Sequence, residues 1–474
     1  MMNKFLLGCI FLILGSGELM AQKVSVSDDV SLRNDDGYAI IGRMKNRILL
    51  FRFRGNEYLV QAFDHKLRTS WSKEIQLERK NPKVIEIIPD RDDFTVIYQH
   101  RKKSHLVIRA NKYDAAANLV DSTEIVDLGA SWYVPPYSAV LSEDRQKMVL
   151  YAIEKQTEII AYSFDLQNMQ LLWSNRFKPA NLNEPHDHEQ IIVDNQGNFY
   201  FVMEKENRRS RQEEHRYEVY RCNQDIQTIT VPAPEYQTYD ISFAFDNLNQ
   251  SIVAAGLYSE KNRGRANGYF FLRVELQADN KYLLRYEEFP EAFLSSISGR
   301  GVDEEKGLSE CNIQQVVLRR DGGILFVAER NHRLERRSTG VDRGYVGRDG
   351  GRYIIDYYHD DLFAYSIHPD GTTHWKTVMH KKQYSQDDNA AFSSFFLLKT
   401  PTALRLIFND EIRNENTVSE YVIRGDGNFD RNSVMSTESQ NIRLRFRDAL
   451  QVGANALIIP SERRNRLRLV LLEY

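Results

Sequence analysis

The chain has 474 residues, a formal net charge of −3 at pH 7, and a high aromatic content of 24 Phe and 25 Tyr beside only 12 Pro. No long helical periodicity and no low-complexity tract is present, which excludes a helical or a fibrous chain and favours one large β domain.

The N-terminus has the pattern of a secretory signal peptide. Asn3-Lys4 supplies a short positive region, residues 5–14 are apolar, and Leu19-Met20-Ala21 offers a small-residue cleavage site. The apolar run is too short to span a bilayer comfortably, and no later segment is apolar enough to do so. We therefore expect residues 1–21 to be removed near Ala21 and residues 22–474 to be exported to the periplasm or the cell surface, with no transmembrane segment.

A short run of β-branched and aromatic residues recurs eight times after the signal peptide. The copies cover residues 47–53, 94–99, 148–153, 199–203, 251–258, 324–328, 403–408 and 456–459. Most copies start 47 to 54 residues after the previous one, the period of a solenoid or propeller unit. An apolar strand precedes each copy, at residues 446–452 in the eighth unit, and another follows it, and many units end in a fourth, more polar strand.

Tight turns such as Asp194-Asn195-Gln196-Gly197-Asn198 join the first two strands of a unit, so these strands are antiparallel neighbours. Radial repetition of four-stranded antiparallel meanders predicts an all-β fold, a single β-propeller of eight blades, with seven blades as the alternative because the sixth and seventh units carry insertions. The eighth unit lacks a fourth strand. We expect residues 24–30 to supply it and so to close the ring.

Three units place an aspartate shortly before a tryptophan at the turn from the third to the fourth strand: Asp64 with Trp71, Asp165 with Trp173, and Asp370 with Trp375. This pattern resembles the tryptophan-docking repeat of the quinoprotein-like propellers, in which the aspartate caps the turn and the indole packs between blades. The opening stretch, residues 35–64, is also similar to uncharacterised exported propellers of Bacteroidetes-type bacteria. Quinoprotein enzymes of this group hold their cofactor with adjacent cysteines, which this chain lacks, so we expect no cofactor.

Strand direction sorts the loops onto two faces. The connections from the second to the third strand share one face with the connections between blades, and this face receives the insertions at 206–216, 260–268, 291–311, 331–352 and 381–390. Long loops on a rigid scaffold are where binding usually resides. The loops from second to third strands on this face are rich in basic residues, among them Arg101, Lys102, Lys103, Arg333, Arg336 and Arg337, which predicts attraction of an anionic partner. Solvated loops with interspersed acidic residues are the alternative.

Aromatic residues in the blade-to-blade connections of that face form a second group of binding candidates, namely Trp132, Tyr133, Tyr236, Tyr239 and Tyr384. They can stack on a ligand, or they can pin the loops to the blades. His186 and His188 are weak candidates for a metal site, since no third ligand follows at a known spacing. His359-Asp360-Asp361 is expected to cap the start of a strand. Cys222 and Cys311 are expected to be buried, unpaired thiols, with a disulfide between them as the alternative in an oxidising compartment.

These observations favour a non-enzymatic interaction platform of the bacterial cell envelope that binds a partner through the basic, insertion-bearing face. The partner would be an envelope protein or an anionic polysaccharide or lipopolysaccharide, and no nucleic acid is expected. The alternative is a carbohydrate-binding or carbohydrate-active propeller, a lectin, glycoside hydrolase or lyase acting on an anionic glycan. Carboxylates converging in the central funnel would favour the enzyme, and arginines and aromatics without paired acids would favour the platform.

Overall fold

The computed structural model describes residues 22–33, 35–78, 82–130, 135–180, 182, 188–207, 214–260, 264–276, 281–297, 302–303, 307–337, 353–410, 412, 417–437, 442–463 and 465–474. These residues form a ring of eight antiparallel β blades, as the repeat predicts. The signal peptide expected at residues 1–21 lies outside the described part of the chain. No helix among the described residues is long and apolar enough to cross a membrane.

Two short strands precede the first blade, and blades 1 to 4 then follow in chain order. Their bounds are β1 (Lys23–Val26) and β2 (Val30–Ser31); blade 1, β3 (Gly37–Met44), β4 (Arg47–Arg54), β5 (Glu57–Phe63), β6 (Thr69–Ile75); blade 2, β7 (Lys83–Pro89), β8 (Asp93–Lys102), β9 (His105–Asp114), β10 (Leu119–Ala130); blade 3, β11 (Ser138–Leu141), β12 (Lys147–Glu154), β13 (Glu158–Asp165), β14 (Gln170–Phe177); blade 4, β15 (His188–Val193), β16 (Phe199–Lys205), β17 (Arg216–Cys222), β18 (Ile226–Pro232).

Blades 5 to 8 contain the larger insertions. Their bounds are blade 5, β19 (Gln237–Asp246), β20 (Ser251–Ser259), β21 (Gly268–Glu275), β22 (Tyr282–Glu288); the connection with helix α1 (Glu291–Ser296), β23 (Val302–Asp303) and β24 (Gly307–Leu308); blade 6, β25 (Cys311–Leu318), β26 (Ile324–Arg337), β27 (Tyr353–Ile367), β28 (Thr373–Met379), with β29 (Gln383–Gln386); blade 7, β30 (Phe396–Lys399), β31 (Leu404–Asn409), β32 (Thr417–Ile423), β33 (Phe429–Ser436); a 3₁₀ turn (Phe446–Asp448); blade 8, β34 (Leu450–Gly453), β35 (Ala456–Arg463), β36 (Arg466–Glu473).

The burial of each strand follows its position in the blade. The first strands of successive blades contact one another, for example β3 with β7 and β15 with β19, so they line the axis. The second strands are buried on both faces, and every residue of β16 and of β20 is buried. The fourth strand lies at the rim and alternates in exposure, as in β18. This explains why the middle strand of the repeat is the most apolar in sequence, since neighbouring blades cover both of its faces.

The N-terminal segment closes the ring, which confirms the predicted clasp. Strand β1 pairs antiparallel with β36, with Val24 opposite Leu472, and β2 pairs with the other end of β36. Val30 and Leu32 are buried in the apolar core between blades 8 and 1. The two ends of the chain are therefore held in one sheet.

The aspartate and tryptophan repeat has the structural role that the resemblance implies. Asp165 Oδ1 accepts hydrogen bonds from the backbone N–H groups of Gln167 and Asn168, both at 2.9 Å. Trp173 Nε1 donates to the carbonyl of Gly197 in the next blade at 2.9 Å, and Trp375 Nε1 donates to the carbonyl of Gly425 at the same distance. Each indole thus ties its blade to a turn of the following one.

Two local expectations from the sequence need correction. The first strand of blade 8 does not begin at Phe446, because residues 446–448 form a 3₁₀ turn closed by Arg445, whose Nε donates to Asp448 at 2.6 Å. His359-Asp360-Asp361 does not cap the start of a strand, since β27 begins at Tyr353 and passes straight through this triplet. Cys222 and Cys311 are buried free thiols, as expected, and burial raises the pKa of each to about 12.

Candidate functional site

The candidate site lies on the face that carries the insertions, which we call the inserted face. It is formed by the connections from second to third strands and from one blade to the next. Helix α1, the β23–β24 hairpin and β29 all belong to these connections. The opposite face consists mainly of short turns such as Asp90–Asp93 and Asp194–Asn198, each closed by a backbone hydrogen bond. Structural elaboration is therefore concentrated on one side of the ring.

The largest elaboration is a sheet that stands on blade 6. Strand β25 stops pairing with β26 at Cys311 opposite Arg330. Strands β26 and β27 continue to pair beyond this point, from Asn331 opposite His359 to Arg337 opposite Tyr353. Strand β29 pairs with the other edge of β27 over residues 356–359. We call this three-stranded sheet, made of residues 331–337, 353–359 and 383–386, the blade-6 extension.

A buried charge cluster anchors the base of the extension. The Lys381 ammonium lies 2.5 Å from Glu329 Oε1, and both side chains are completely buried. His359 Nδ1 is 2.9 Å from Glu329 Oε2, and Ser394 Oγ donates to the same oxygen at 2.8 Å. Lys381 also donates to the backbone carbonyl of His359 at 3.0 Å and to the side-chain oxygen of Gln383 at 2.9 Å. The cluster joins β26, β27 and the connection to blade 7.

The pKa values of this cluster reflect burial opposed by pairing. Burial alone would raise the pKa of Glu329, but Lys381 and the hydrogen bond with His359 outweigh it and hold this pKa at about 2. Burial lowers the pKa of Lys381, and Glu329 opposes that shift. Because neither charge is in contact with water, the attraction between the two groups must offset the free-energy cost of removing each of them from water. The pair fixes the orientation of the His359 ring in front of it.

His359 lines a pocket of about 530 Å³ beside the extension. The pocket lies on the inserted face between blades 6, 7 and 8, and its lining combines cations, amides and aromatic rings: Gln314, Gln315, Asn331, His332, Arg333, Tyr357, His359, Asn389, Ala390, Ser394, Phe395, Phe396, Leu397, Phe446, Arg447 and Ala449. No carboxylate belongs to this lining among the described residues. The arrangement provides donors for an anionic group and flat apolar surface for an attached chain or ring.

The two arginines of the pocket are exposed and only weakly engaged. Arg333 comes no closer than 4.0 Å to Glu335, and both side chains are more than half exposed. Arg447 Nη1 donates to the backbone carbonyl of Asn389 at 3.0 Å, and the Tyr357 hydroxyl donates to the side chain of the same residue at 3.2 Å. The contact with Asn389 positions the Arg447 guanidinium, and both arginines keep donors for a ligand.

Two further candidates, Arg336 from the basic loops and Tyr384 from the aromatic group, lie on the other side of the extension. Arg336 Nε donates to Asp356 Oδ2, and the Tyr384 hydroxyl donates to Asp356 Oδ1, each at 2.6 Å. Tyr384 also packs against Tyr358 with ring centroids 5.1 Å apart. Cross-strand pairing explains the separation, since Arg333 lies opposite Tyr357 on one face and Leu334 lies opposite Asp356 on the other.

The other basic candidates are distant from this pocket. Arg101, Lys102 and Lys103 lie at the hairpin end of β8 in blade 2, where Lys102 Nζ is 2.9 Å from Glu124. On blade 8, Arg466 is 2.9 Å from Asp29. Carboxylates therefore offset part of the positive charge that the sequence places on the inserted face. In the pocket, Arg333 lies 4.0 Å from Glu335, a longer separation than in these pairs.

Tyr236 and Tyr239 hold loops against the blades. Tyr236 packs against Tyr258 and Tyr286, with centroid distances of 4.4 and 4.9 Å. The Tyr239 hydroxyl accepts the backbone N–H of Glu310 at 2.9 Å, and burial raises its pKa to about 12. In both cases the structure agrees with the pinning role that the sequence left open.

Several candidates cannot be placed. Trp132, Tyr133 and His186 lie outside the described residues, and only the backbone of His188 and Arg337 is described. Among the described residues, no group of three or more His, Cys, Asp or Glu side chains is arranged to hold a metal ion. The metal-binding hypothesis for His186 and His188 therefore remains a prediction.

A second cavity, of about 570 Å³, lies where the ring closes and does contain acids. Its lining includes Asp36, Tyr38, Arg445, Asp448 and Glu462. Arg445 Nη1 lies 2.5 Å from Glu462, and its Nε lies 2.6 Å from Asp448. Asp448 and Glu462 are thus held by one arginine, and Asp36 lies 3.4 Å from Arg52, so each acid belongs to a structural ion pair and not to a free acid and base pair.

Comparison with known proteins gives fold likeness without a family. No family model matches the chain, and no curated protein matches it. Similar solved structures include BamB from Moraxella catarrhalis (9% identity, 95% of this chain, 100% of that chain, TM-score 0.38) and an oligogalacturonate lyase in complex with manganese (9%, 96%, 96%, 0.36). Another is a quinoprotein alcohol dehydrogenase-like protein from Bacteroides thetaiotaomicron (10%, 74%, 68%, 0.30). At these identities and TM-scores none bears on a partner or a reaction of this chain.

Proposed function

We propose that the protein is a non-enzymatic interaction platform of the bacterial cell envelope and that it binds its partner through the inserted face. The observation that carries this proposal is the pocket beside the blade-6 extension. Two weakly engaged arginines, Arg333 and Arg447, share it with aromatic and amide side chains, and no carboxylate lines it among the described residues. A site of this kind binds an anionic group and offers no acid and base pair for hydrolysis.

The location in the envelope rests on the N-terminal pattern, with export following cleavage near Ala21. An anionic glycan is the second candidate ligand. The aromatic side chains of Phe395, Phe396 and Tyr357 favour it, because flat rings can stack on sugars as well as on a peptide.

The test is capture of partners from an envelope extract on the purified, immobilised protein, with washes at low and high salt. Wild type is compared with an Arg333→Ala, Arg447→Ala double variant and with Arg91→Ala, which removes an exposed arginine from a turn of the opposite face. We expect wild type and Arg91→Ala to retain the same partner at low salt and the double variant to lose most of it. The high-salt wash should release the partner, because salt screens interactions between exposed charges.

Two outcomes would contradict the proposal. One is that nothing is retained at low salt. The other is that a partner is retained equally by all three proteins, which would place the contact elsewhere. Retention of a glycan with the same dependence on Arg333 and Arg447 would support the second candidate instead.

A further inference from the structure

The blade-6 extension has one strand edge that no other described strand covers. Strand β27 is paired on both sides, by β26 and by β29, whereas β26 is paired only with β27 once β25 has ended. At the start of this stretch the N–H of Asn331 still bonds the carbonyl of Glu310 at 2.8 Å on the β25 side. Beyond it, no described residue pairs with this edge.

The direction of the backbone groups along this edge follows from alternation. In an antiparallel strand, the N–H and C=O of one residue point to the same side, and those of the next residue point to the other. Since Asn331 directs its N–H toward the β25 side, Arg333 and Glu335 direct theirs to the same side. Two residues of this edge, Asn331 and Arg333, also line the pocket. Unpaired edge groups are a template for strand addition.

The charges beside the edge select the kind of strand that can add there. Arg333 is exposed, and it shares the pocket with Arg447, whereas Arg336 is already paired with Asp356 on the other face of the sheet. An acidic strand would place carboxylates near Arg333 and Arg447, where a bidentate contact is available. Leu334, which is 46% exposed on the opposite face of the sheet, offers an apolar contact.

We propose that the free edge of β26 binds an extended acidic peptide segment of the partner by strand addition, with a carboxylate side chain of that segment entering the pocket. This inference rests on the proposed function and names the chemistry of its partner. A peptide fits better than a glycan because only a peptide backbone has the N–H and C=O groups that complement a strand edge.

The test uses the full chain and a synthetic peptide of alternating Glu and Thr, about ten residues long, the length of a strand. A peptide of alternating Lys and Thr is the charge control, and polygalacturonate is the glycan probe. The affinity of each is measured by titration at low salt. We expect the acidic peptide to bind and the basic one not to bind, and the Arg333→Ala, Arg447→Ala variant to lose roughly tenfold or more in affinity.

The backbone contact is tested at Glu335 with a matched pair of variants. Glu335→Pro removes an N–H that points to the free edge and is not bonded to β27, and proline is tolerated on an edge strand. Glu335→Ala removes the same side chain and keeps the N–H. We expect Glu335→Ala to bind the acidic peptide at least as tightly as wild type and Glu335→Pro to bind it roughly fivefold more weakly than Glu335→Ala. Far-UV circular dichroism of both variants is the check that the β-propeller still folds.

The outcomes separate this inference from the proposed function. Equal peptide affinity in Glu335→Pro and Glu335→Ala would overturn strand addition, as would binding of polygalacturonate in place of the peptide. Failure to bind the peptide while the immobilised protein still captures an envelope partner would also overturn strand addition, but it would not contradict the proposed function. Absence of both peptide binding and capture would overturn both.

Discussion

The clasp at the N-terminus gives the sharpest prediction about stability. Leu32 and Val30 are 6% and 5% exposed and pack between Ile48 and Leu50 of blade 1 and Leu467 of blade 8. Truncating a buried leucine to alanine costs about 3 kcal/mol, and truncating a buried valine costs about 1.5 kcal/mol. The double variant Val30→Ala, Leu32→Ala should therefore lose roughly half of a total stability on the order of 10 kcal/mol.

The loss should reach the whole ring, because opening the seam removes the closure that all blades share. Urea unfolding is followed by tryptophan fluorescence in a Trp71→Phe background, because Trp71 lies in blade 1 beside the seam. The remaining signal includes Trp173 in blade 3 and Trp375 in blade 6, both far along the chain from the seam. We expect the fluorescence midpoint and the far-UV circular dichroism midpoint to fall together. Leu119→Ala, which truncates a leucine that is 56% exposed on the rim, is the matched control and should leave both midpoints in place.

An unchanged fluorescence midpoint in the double variant, with a small loss of circular dichroism at low urea, would refute this reasoning. It would mean that the N-terminal segment frays by itself and that the ring remains closed without it.

The other predictions concern the buried pair and a turn. Lys381→Met should destabilise the protein by about 3 to 5 kcal/mol because it leaves Glu329 charged and unpaired, and adding Glu329→Gln should recover much of that loss, as measured by urea unfolding. Glu329 has a pKa of about 2 in the fold against an ordinary 4.5, so its pairing stabilises the protein above pH 4.5 and is lost as the pH falls toward 2. Wild type should thus lose more stability than Glu329→Gln over this range. Gly427→Ala should lower the thermal midpoint, because φ is +86° there and a Cβ would lie 2.6 Å from the ring of Trp375.

Each of these has a contradicting result. A Lys381→Met variant as stable as wild type would show that Glu329 is neutral or hydrated. Parallel acid unfolding curves for wild type and Glu329→Gln would remove the linkage to this carboxylate. Gly425→Ala is the control for Gly427→Ala, because no atom lies within 4 Å of a Cβ added at Gly425. If Gly427→Ala has the same thermal midpoint as wild type, the Trp375 indole moves aside without a cost in stability.

The ring could be predicted from the sequence because its signals are local and repeated. Each blade has its own alternating strands and its own turn residues, and the missing fourth strand of blade 8 predicted the clasp that Val24 and Leu472 now form. The aspartate and tryptophan spacing predicted contacts between neighbouring blades for the same reason, since the next repeat always supplies the partner.

The pocket could not be predicted in the same way. Arg333, His359 and Arg447 come from three separate segments, and Arg447 lies in a stretch that the sequence assigned to a strand. The count of basic residues in the loops identified Arg333 but also Arg336, and only the register of β26 with β27 separates the two. The buried pair was missed because Glu329 and Lys381 look like ordinary surface charges until the fold brings them together.

Hydrogen exchange on the captured complex tests most directly the claim that the inserted face is the binding face. Backbone amides of the free protein and of the complex are compared at the blade-6 extension, residues 331–337 and 383–386, and at the turns of the opposite face, residues 90–93 and 194–198. We expect the partner to slow exchange in the extension and to leave exchange in the opposite turns unchanged. Slower exchange in the turns, with none in the extension, would contradict it.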